Sequence, residues 1–280
     1  MLPLVAMALA WGSTFYWIQL ALDSGMSPWL LTWARCAVAA AILVPLNWPR
    51  WRARGAPGPR MSDLLLAAAL CNALPFTLVS VGQQTVTVAL AGILNATTPL
   101  WTVLLTVALG HRPATVQVVG VVVGFAGVSL VLSPWRSGGP LGAGAVLVGT
   151  AAASYAVAFV LMSRRLVPSG ATPGELAATQ MLAAAALSGL VLLAHPGPEG
   201  DVTVVGSAAV FALGAMSTAL TFWIAYRMLA ADGPTNTAVV GYLLPVVAVV
   251  LGVLFVDERL TVHATAGTAV ILSGVALTRR

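Results

Sequence analysis

Apolar residues run through this chain in ten stretches, at about 1–22, 28–46, 62–82, 86–109, 114–133, 140–162, 174–194, 203–226, 234–256 and 261–279. Each has, or nearly has, the roughly 20 residues that a helix needs to cross about 30 Å of hydrocarbon. Polar punctuation between them is brief, as in Asp23-Ser24-Gly25-Met26-Ser27. Backbone groups in lipid must find their hydrogen bonds within the protein. The pattern therefore predicts an all-α integral membrane protein of ten spans. The opening stretch lacks a basic leader, carries Trp11, Tyr16 and Trp17, and exceeds the 7–15 apolar residues of a secretion signal, so it reads as a retained first span.

The second half replays the first about 145 residues later. Pro28 and Arg35 are matched by Pro173 and Gln180, Phe76 and Pro99 by Phe222 and Pro245, and Gly120 and Gly127 by Gly267 and Gly274. Two units follow, 1–137 and 138–280, joined by the breaker-rich Ser133–Pro140. With five spans in each, the second unit enters the bilayer inverted. Inverted repeats with a site at their interface are a common construction of secondary transporters.

Composition agrees with a membrane setting: the chain is 59% hydrophobic and 8% charged, with mean hydropathy +0.96. The pI near 10 would suggest a nucleic-acid partner for a soluble protein, but here the cations follow topology. All 13 basic residues are arginine. With both termini cytoplasmic, Arg50, Arg52, Arg54, Arg60, Arg112, Arg164, Arg165, Arg227, Arg279 and Arg280 lie inside, and only Arg136 and Arg259 outside. That is the positive-inside bias. The loop Asn47–Arg60 is the one long basic loop, and its counterpart His195–Asp201 has no arginine. The partners so implied are a lipid bilayer and a small-molecule substrate, not nucleic acid. The connections are too short for a nucleotide-binding motor.

Depth then selects candidates. Arg35 is the one charge well inside a span; it either snorkels to the outer interface or serves function. Its fork suits a carboxylate or a carbonyl gate. Pro99 and Pro245 sit mid-span and form a candidate pair of hinges around a central site. Asn95, Thr98, Thr102 and Thr106 form a polar stripe beside Pro99; Asn72, Phe76, Ser80 and Gln83 or Gln84 form another, repeated as Thr218, Phe222 and Tyr226. These either line a cavity or tie helices together. Trp11, Trp101, Tyr155, Trp223 and Tyr242 fall away from helix ends or beside the kinks; Trp11, Trp101 and Tyr242 are too deep for the interfacial belts and either pack the core or wall a site for an apolar or aromatic substrate. Cys36 and Cys71 read as packing residues. Gly120 and Gly124 allow close helix approach, as scaffold or as the contact of a homodimer. No carboxylate lies mid-membrane, so a buried acid relay for protons is missing; Glu175 is the nearest substitute. No metal-ligand cluster, cofactor motif or catalytic pair accompanies His111, His195 and His263, which argues against an enzyme.

The order of these features resembles the drug/metabolite transporter superfamily, in particular its EamA-type ten-helix members. The carrying residues are Trp11-Gly12-Ser13, Arg35, Pro99 with Gly110-His111-Arg112-Pro113, Tyr155-Ala156, Ser163-Arg164-Arg165-Leu166, and Pro245 with Asp257-Glu258-Arg259-Leu260-Thr261. The family's usual glutamate in the first turn is His111 here. The resemblance implies a bundle with a cavity between the halves, in the bacterial inner membrane. It implies export of small metabolites, with the aromatic and neutral amino-acid exporters as the nearest likeness; relatives that move other metabolites, drugs or lipid-linked sugars are the alternative. Expected contacts or gates for substrate are Arg35, Asn72, Phe76, Asn95, Thr98, Trp101, Trp11, Tyr155, Phe222 and Tyr242.

Overall fold

The computed structural model describes residues 2–53, 58–132, 142–195, 203–244, 246–247 and 262–278, and the described residues are helical with short turns. The helices are α1 (Leu2–Gly12), α2 (Thr14–Asp23), α3 (Pro28–Ala53), α4 (Met61–Ala68), α5 (Leu74–Gly82), α6 (Val88–Asn95), α7 (Thr98–Ala108) and α8 (Thr115–Leu132). They continue with α9 (Ala143–Leu161), α10 (Pro173–Ala194), α11 (Val204–Gly214), α12 (Thr221–Ala238) and α13 (Val262–Thr278). Six continuous helical segments are long and apolar enough to cross a membrane: Val5–Asp23, Pro28–Ala53, Met61–Gly82, Ala143–Ser169, Pro173–Ala194 and Val204–Tyr242. The last has 39 residues, about twice the length that a bilayer requires. It kinks at Gly233, whose φ of 78° before Pro234 is open to glycine and closed to most side chains.

Local chemistry sets the helix starts. Thr87, Thr172 and Thr203 each accept a backbone N–H three residues on, and Glu175 closes a capping box by accepting from the Thr172 N–H at 2.7 Å. The expected loop from Asn47 is instead helical through Ala53, despite Pro45 and Pro49. There the Asn47 amide donates to Leu43 O at 2.8 Å and adds a side-chain bond beside the two missing proline donors. Pro99 also departs from expectation. It does not bend a continuous helix but opens α7, just after a break at Ala96 and Thr97. A first-turn proline loses no helical bond, so this arrangement costs little. Pro245, the Ser133–Pro140 linker, Glu258 and Arg259 lie outside the described residues.

Packing brings α3 along α10, α5 onto α9, and α11 onto α2 and α3. The α8–α13 crossing is the tightest. A Cβ on Gly274 would stand 2.4 Å from the Gly124 nitrogen, and one on Gly127 2.6 Å from that of Ile271. The small-residue pattern is thus used within the chain, as scaffold. One core cluster gathers Phe15, Leu31, Phe76, Phe159, Phe222 and Tyr226; a second gathers Met7, Val121, Tyr242 and Ile271.

Several helices are interrupted. Wide π turns occupy Ala69–Ala73, Met162–Leu166 and Ala215–Leu220, and a tight 3₁₀ turn occupies Val239–Tyr242. Such segments are common at functional sites because they redirect side chains and release backbone groups.

Candidate functional site

Arg35 decides where the site lies. Its side chain does not snorkel: the residue is 1% exposed and turned into the bundle. Nε and Nη2 donate to Thr218 Oγ1 at 3.2 and 3.1 Å, across to the π turn between α11 and α12. The guanidinium carbon stands 3.7 Å from the centroid of Phe76, within cation–π range. No carboxylate pairs with it among the described residues, and Nη1 has no protein acceptor there.

Gln180 holds the corresponding place on α10. It donates to Asn72 Oδ1 at 2.6 Å, on the π turn between α4 and α5, and accepts from the Tyr226 hydroxyl. Asn72 reaches on to Met181 Sδ at 4.0 Å. These groups satisfy one another. Asn72 is therefore committed to a closed network rather than offered to a ligand.

A small cavity opens beside Arg35. Trp11, Thr14, Phe15, Ile18, Arg35, Phe76, Val79, Asn95, Tyr155 and Leu244 line it, and its volume is about 20 Å³. That is room for a water molecule or two, far below the space of an amino acid. The walls are mainly aromatic and aliphatic, with Trp11 6.1 Å from Phe159 and Phe76 6.4 Å from Tyr155 between ring centroids. Four polar residues stand in this lining, Arg35, Thr14, Asn95 and Tyr155, and the Thr14 hydroxyl has no protein partner among the described residues. An apolar pocket with a few convergent polar groups is the usual form of a small-molecule site.

Of the residues expected from sequence, Trp11, Arg35, Phe76, Asn95 and Tyr155 meet here. Phe222 backs the wall, edge-on to Phe76 at 6.3 Å and 82°. Thr98 bonds to Asn95 O at 2.7 Å and secures the break before α7. The stripe below it turns inward on itself, Thr102 to Thr98 O at 2.9 Å and Thr106 to Thr102 O at 2.7 Å. Trp101 is 45% exposed and outside the cavity; depth in a span does not determine which face a residue takes. Tyr242 is a strut, its hydroxyl donating to Val121 O at 2.9 Å while its ring lies over Gly124. Thr14 and Ile18 join the lining without a motif to mark them, although their i+3 and i+7 spacing from Trp11 carries them to its face.

Outside the centre, Arg165 pairs with Asp63 at 2.8 Å, and Arg164 meets His111 at 3.0 Å. Among the described residues no three His, Cys, Asp or Glu side chains cluster to hold a metal.

The uncharacterized inner membrane transporter YedA of Escherichia coli strain K12 is 29% identical over 289 residues, covering 98% of this chain and 88% of that protein. Its counterpart in strain O157:H7 matches equally. A solved crystal structure shares the fold with a TM-score of 0.79 at 22% identity, over 99% of this chain and 95% of that one. The EamA-like transporter family matches residues 1–133 and 142–280. The chain is a membrane transporter of the EamA-like family, within the drug/metabolite transporter superfamily.

Proposed function

We propose that this transporter exports small zwitterionic metabolites, foremost neutral and aromatic amino acids, from the bacterial cytoplasm by alternating access. One observation carries the reading: an unpaired guanidinium donor, two neutral polar groups and a phenol converge on a cavity otherwise walled by aromatic and aliphatic side chains. Arg35 Nη1 takes the carboxylate, Asn95 and Thr14 offer acceptors to the ammonium, and Trp11, Phe76 and Tyr155 flank an apolar side chain. The cavity widens as the helix breaks at Ser13, Ala96–Thr97 and Val239–Tyr242 flex.

In this reading two inverted five-helix units, 1–137 and 138–280, face each other in the inner membrane, ten spans in all, with both termini cytoplasmic. An exchange of hydrogen bonds supports the repeat. Arg35 bonds to Thr218, and Gln180, 145 residues after Arg35, bonds to Asn72, 146 residues before Thr218. The π turns Ala69–Ala73 and Ala215–Leu220 begin 146 residues apart as well.

Flipping of a lipid-linked substrate is the weaker reading. It needs a lateral opening at Arg35, whereas the wide apolar groove, about 480 Å³, lies between Trp51, Leu65 and Leu182. Proteoliposomes loaded with labelled phenylalanine, leucine or alanine test the proposal. Flux of at least one above protein-free vesicles is expected, and none for all three would overturn it.

A further inference from the structure

Folded proteins pair nearly all of their buried polar atoms, so a run of unpaired ones marks a place where the partner is not protein. Seven buried side-chain polar atoms lack a protein partner among the described residues. Two, in Asn236 and Thr268, stand on other helices. The remaining five are Thr14 Oγ1, Trp17 Nε1, Thr32 Oγ1, Ser80 Oγ and Gln83 Oε1. Thr14 lines the central cavity itself. Thr32 lies one turn from Arg35, Trp17 one turn beyond Thr14, Ser80 one turn beyond Phe76, and Gln83 a turn further. Helical residues three or four apart share a face, so these groups extend the cavity-lining faces of α2, α3 and α5.

All of these steps run the same way. They lead from the cavity toward the end of the bundle where Ser24–Ser27 joins α2 to α3, and along α5 toward its finish at Gly82. Gln83 Nε2 donates to Phe15 O at 3.1 Å and ties the end of α5 to the first turn of α2, beside Thr14, while its Oε1 is left without a partner. Thr14, Thr32, Ser80 and Gln83 are 8%, 1%, 0% and 3% exposed, so bulk water does not reach them in this conformation.

We propose that Thr14, Thr32, Ser80 and Gln83 form a transit site, a polar track along which a hydrated zwitterion passes between the cavity and this end of the bundle. The proposal rests on the reading of the cavity as a zwitterion site. The chemistry of the track suits that ligand. Three hydroxyls both donate and accept, Gln83 Oε1 accepts, and no acid is present to trap an ammonium group. The second half has no equivalent. At the repeat positions stand Ala177 and Leu229, apolar and buried, and Tyr226, whose hydroxyl is used on Gln180. The track is one-sided, and passage toward the opposite end relies on other groups.

Thiol reactivity tests the track whatever the substrate. In a background of Cys36→Ala and Cys71→Ala, Ser80→Cys, Gln83→Cys, Ala177→Cys and Leu229→Cys are purified in detergent, where both ends of the bundle meet the reagent. A cationic methanethiosulfonate should modify the first two at least tenfold faster than the last two. Thr32→Cys replaces either track variant that fails to insert. Equal rates in track and comparison positions would overturn the track even if the reconstituted protein moves amino acids. Fast track labelling without flux of any amino acid would retain the track and overturn the zwitterion as its ligand.

Discussion

Changing Arg35 to glutamine gives α3 the residue that α10 already carries at Gln180, and it separates binding from folding. The fold should survive. Thr218 Oγ1 keeps its bond to Leu213 O at 2.8 Å, so no buried hydroxyl is orphaned. The contact over Phe76 is lost, worth about 0.5–2 kcal/mol, but so is the burden of a buried cation with no carboxylate partner among the described residues. These terms oppose each other, and a stability change within about 2 kcal/mol follows. Binding should suffer more. A hydrogen bond to a charged group contributes about 1.5–3 kcal/mol, so losing the carboxylate contact weakens Kd by about 10- to 150-fold. Equilibrium binding of phenylalanine and of phenethylamine, which lacks the carboxylate, to the detergent-purified protein distinguishes the cause. The Arg35→Gln loss should fall on phenylalanine and spare phenethylamine. Equal losses for both, or none for either, would refute the carboxylate assignment.

Further outcomes follow from the same geometry. Tyr226→Phe leaves Gln180 Oε1 unpaired in a buried site and should lower stability by about 1–3 kcal/mol, read by thermal unfolding, with flux little altered. Trp11→Ala should depress flux, whereas Trp101→Ala, on an exposed face, should leave transport and insertion unchanged in vesicle assays. Gly274→Ala sets a Cβ against the Gly124 backbone and should cut the yield of folded protein, judged by monodispersity in detergent. Gly92→Ala, with nothing within 4 Å, should keep or raise that yield, since alanine is the better helix former by about 0.5–1 kcal/mol.

Much of the fold is legible in the sequence because lipid leaves a chain few options. Among the described residues the apolar runs become helices, six of them continuous segments of span length, and the short turns at Gly25 and Gly110 fall where the polar punctuation stands. Arg35 is legible for the same reason, as a lone charge at depth. Facing is not. Depth along a span places Trp101 and Asn95 equally well, but only the neighbouring helices determine that one is exposed and the other lines the cavity. Hydrogen-bond commitment is also hidden: Asn72 has the composition of a ligand-binding residue and is bonded to Gln180. The π turns have no signal in the local pattern, since no proline stands within Ala69–Ala73 or Ala215–Leu220. Thr14 carries no mark because a single threonine in an apolar run is common, and its unmet hydroxyl exists only in three dimensions.

The crossing of α8 and α13 has a mechanical consequence. With Gly124 and Gly274 meeting backbone to backbone, and the Tyr242 ring and Thr278 hydroxyl closing on Gly124 and Gly120, little room is left at the crossing for one helix to shift without the other. The two act as a single spine against which the remaining helices tilt. Spin labels on their outer faces, at Val122 and Leu272, should report one unchanging separation throughout the transport cycle.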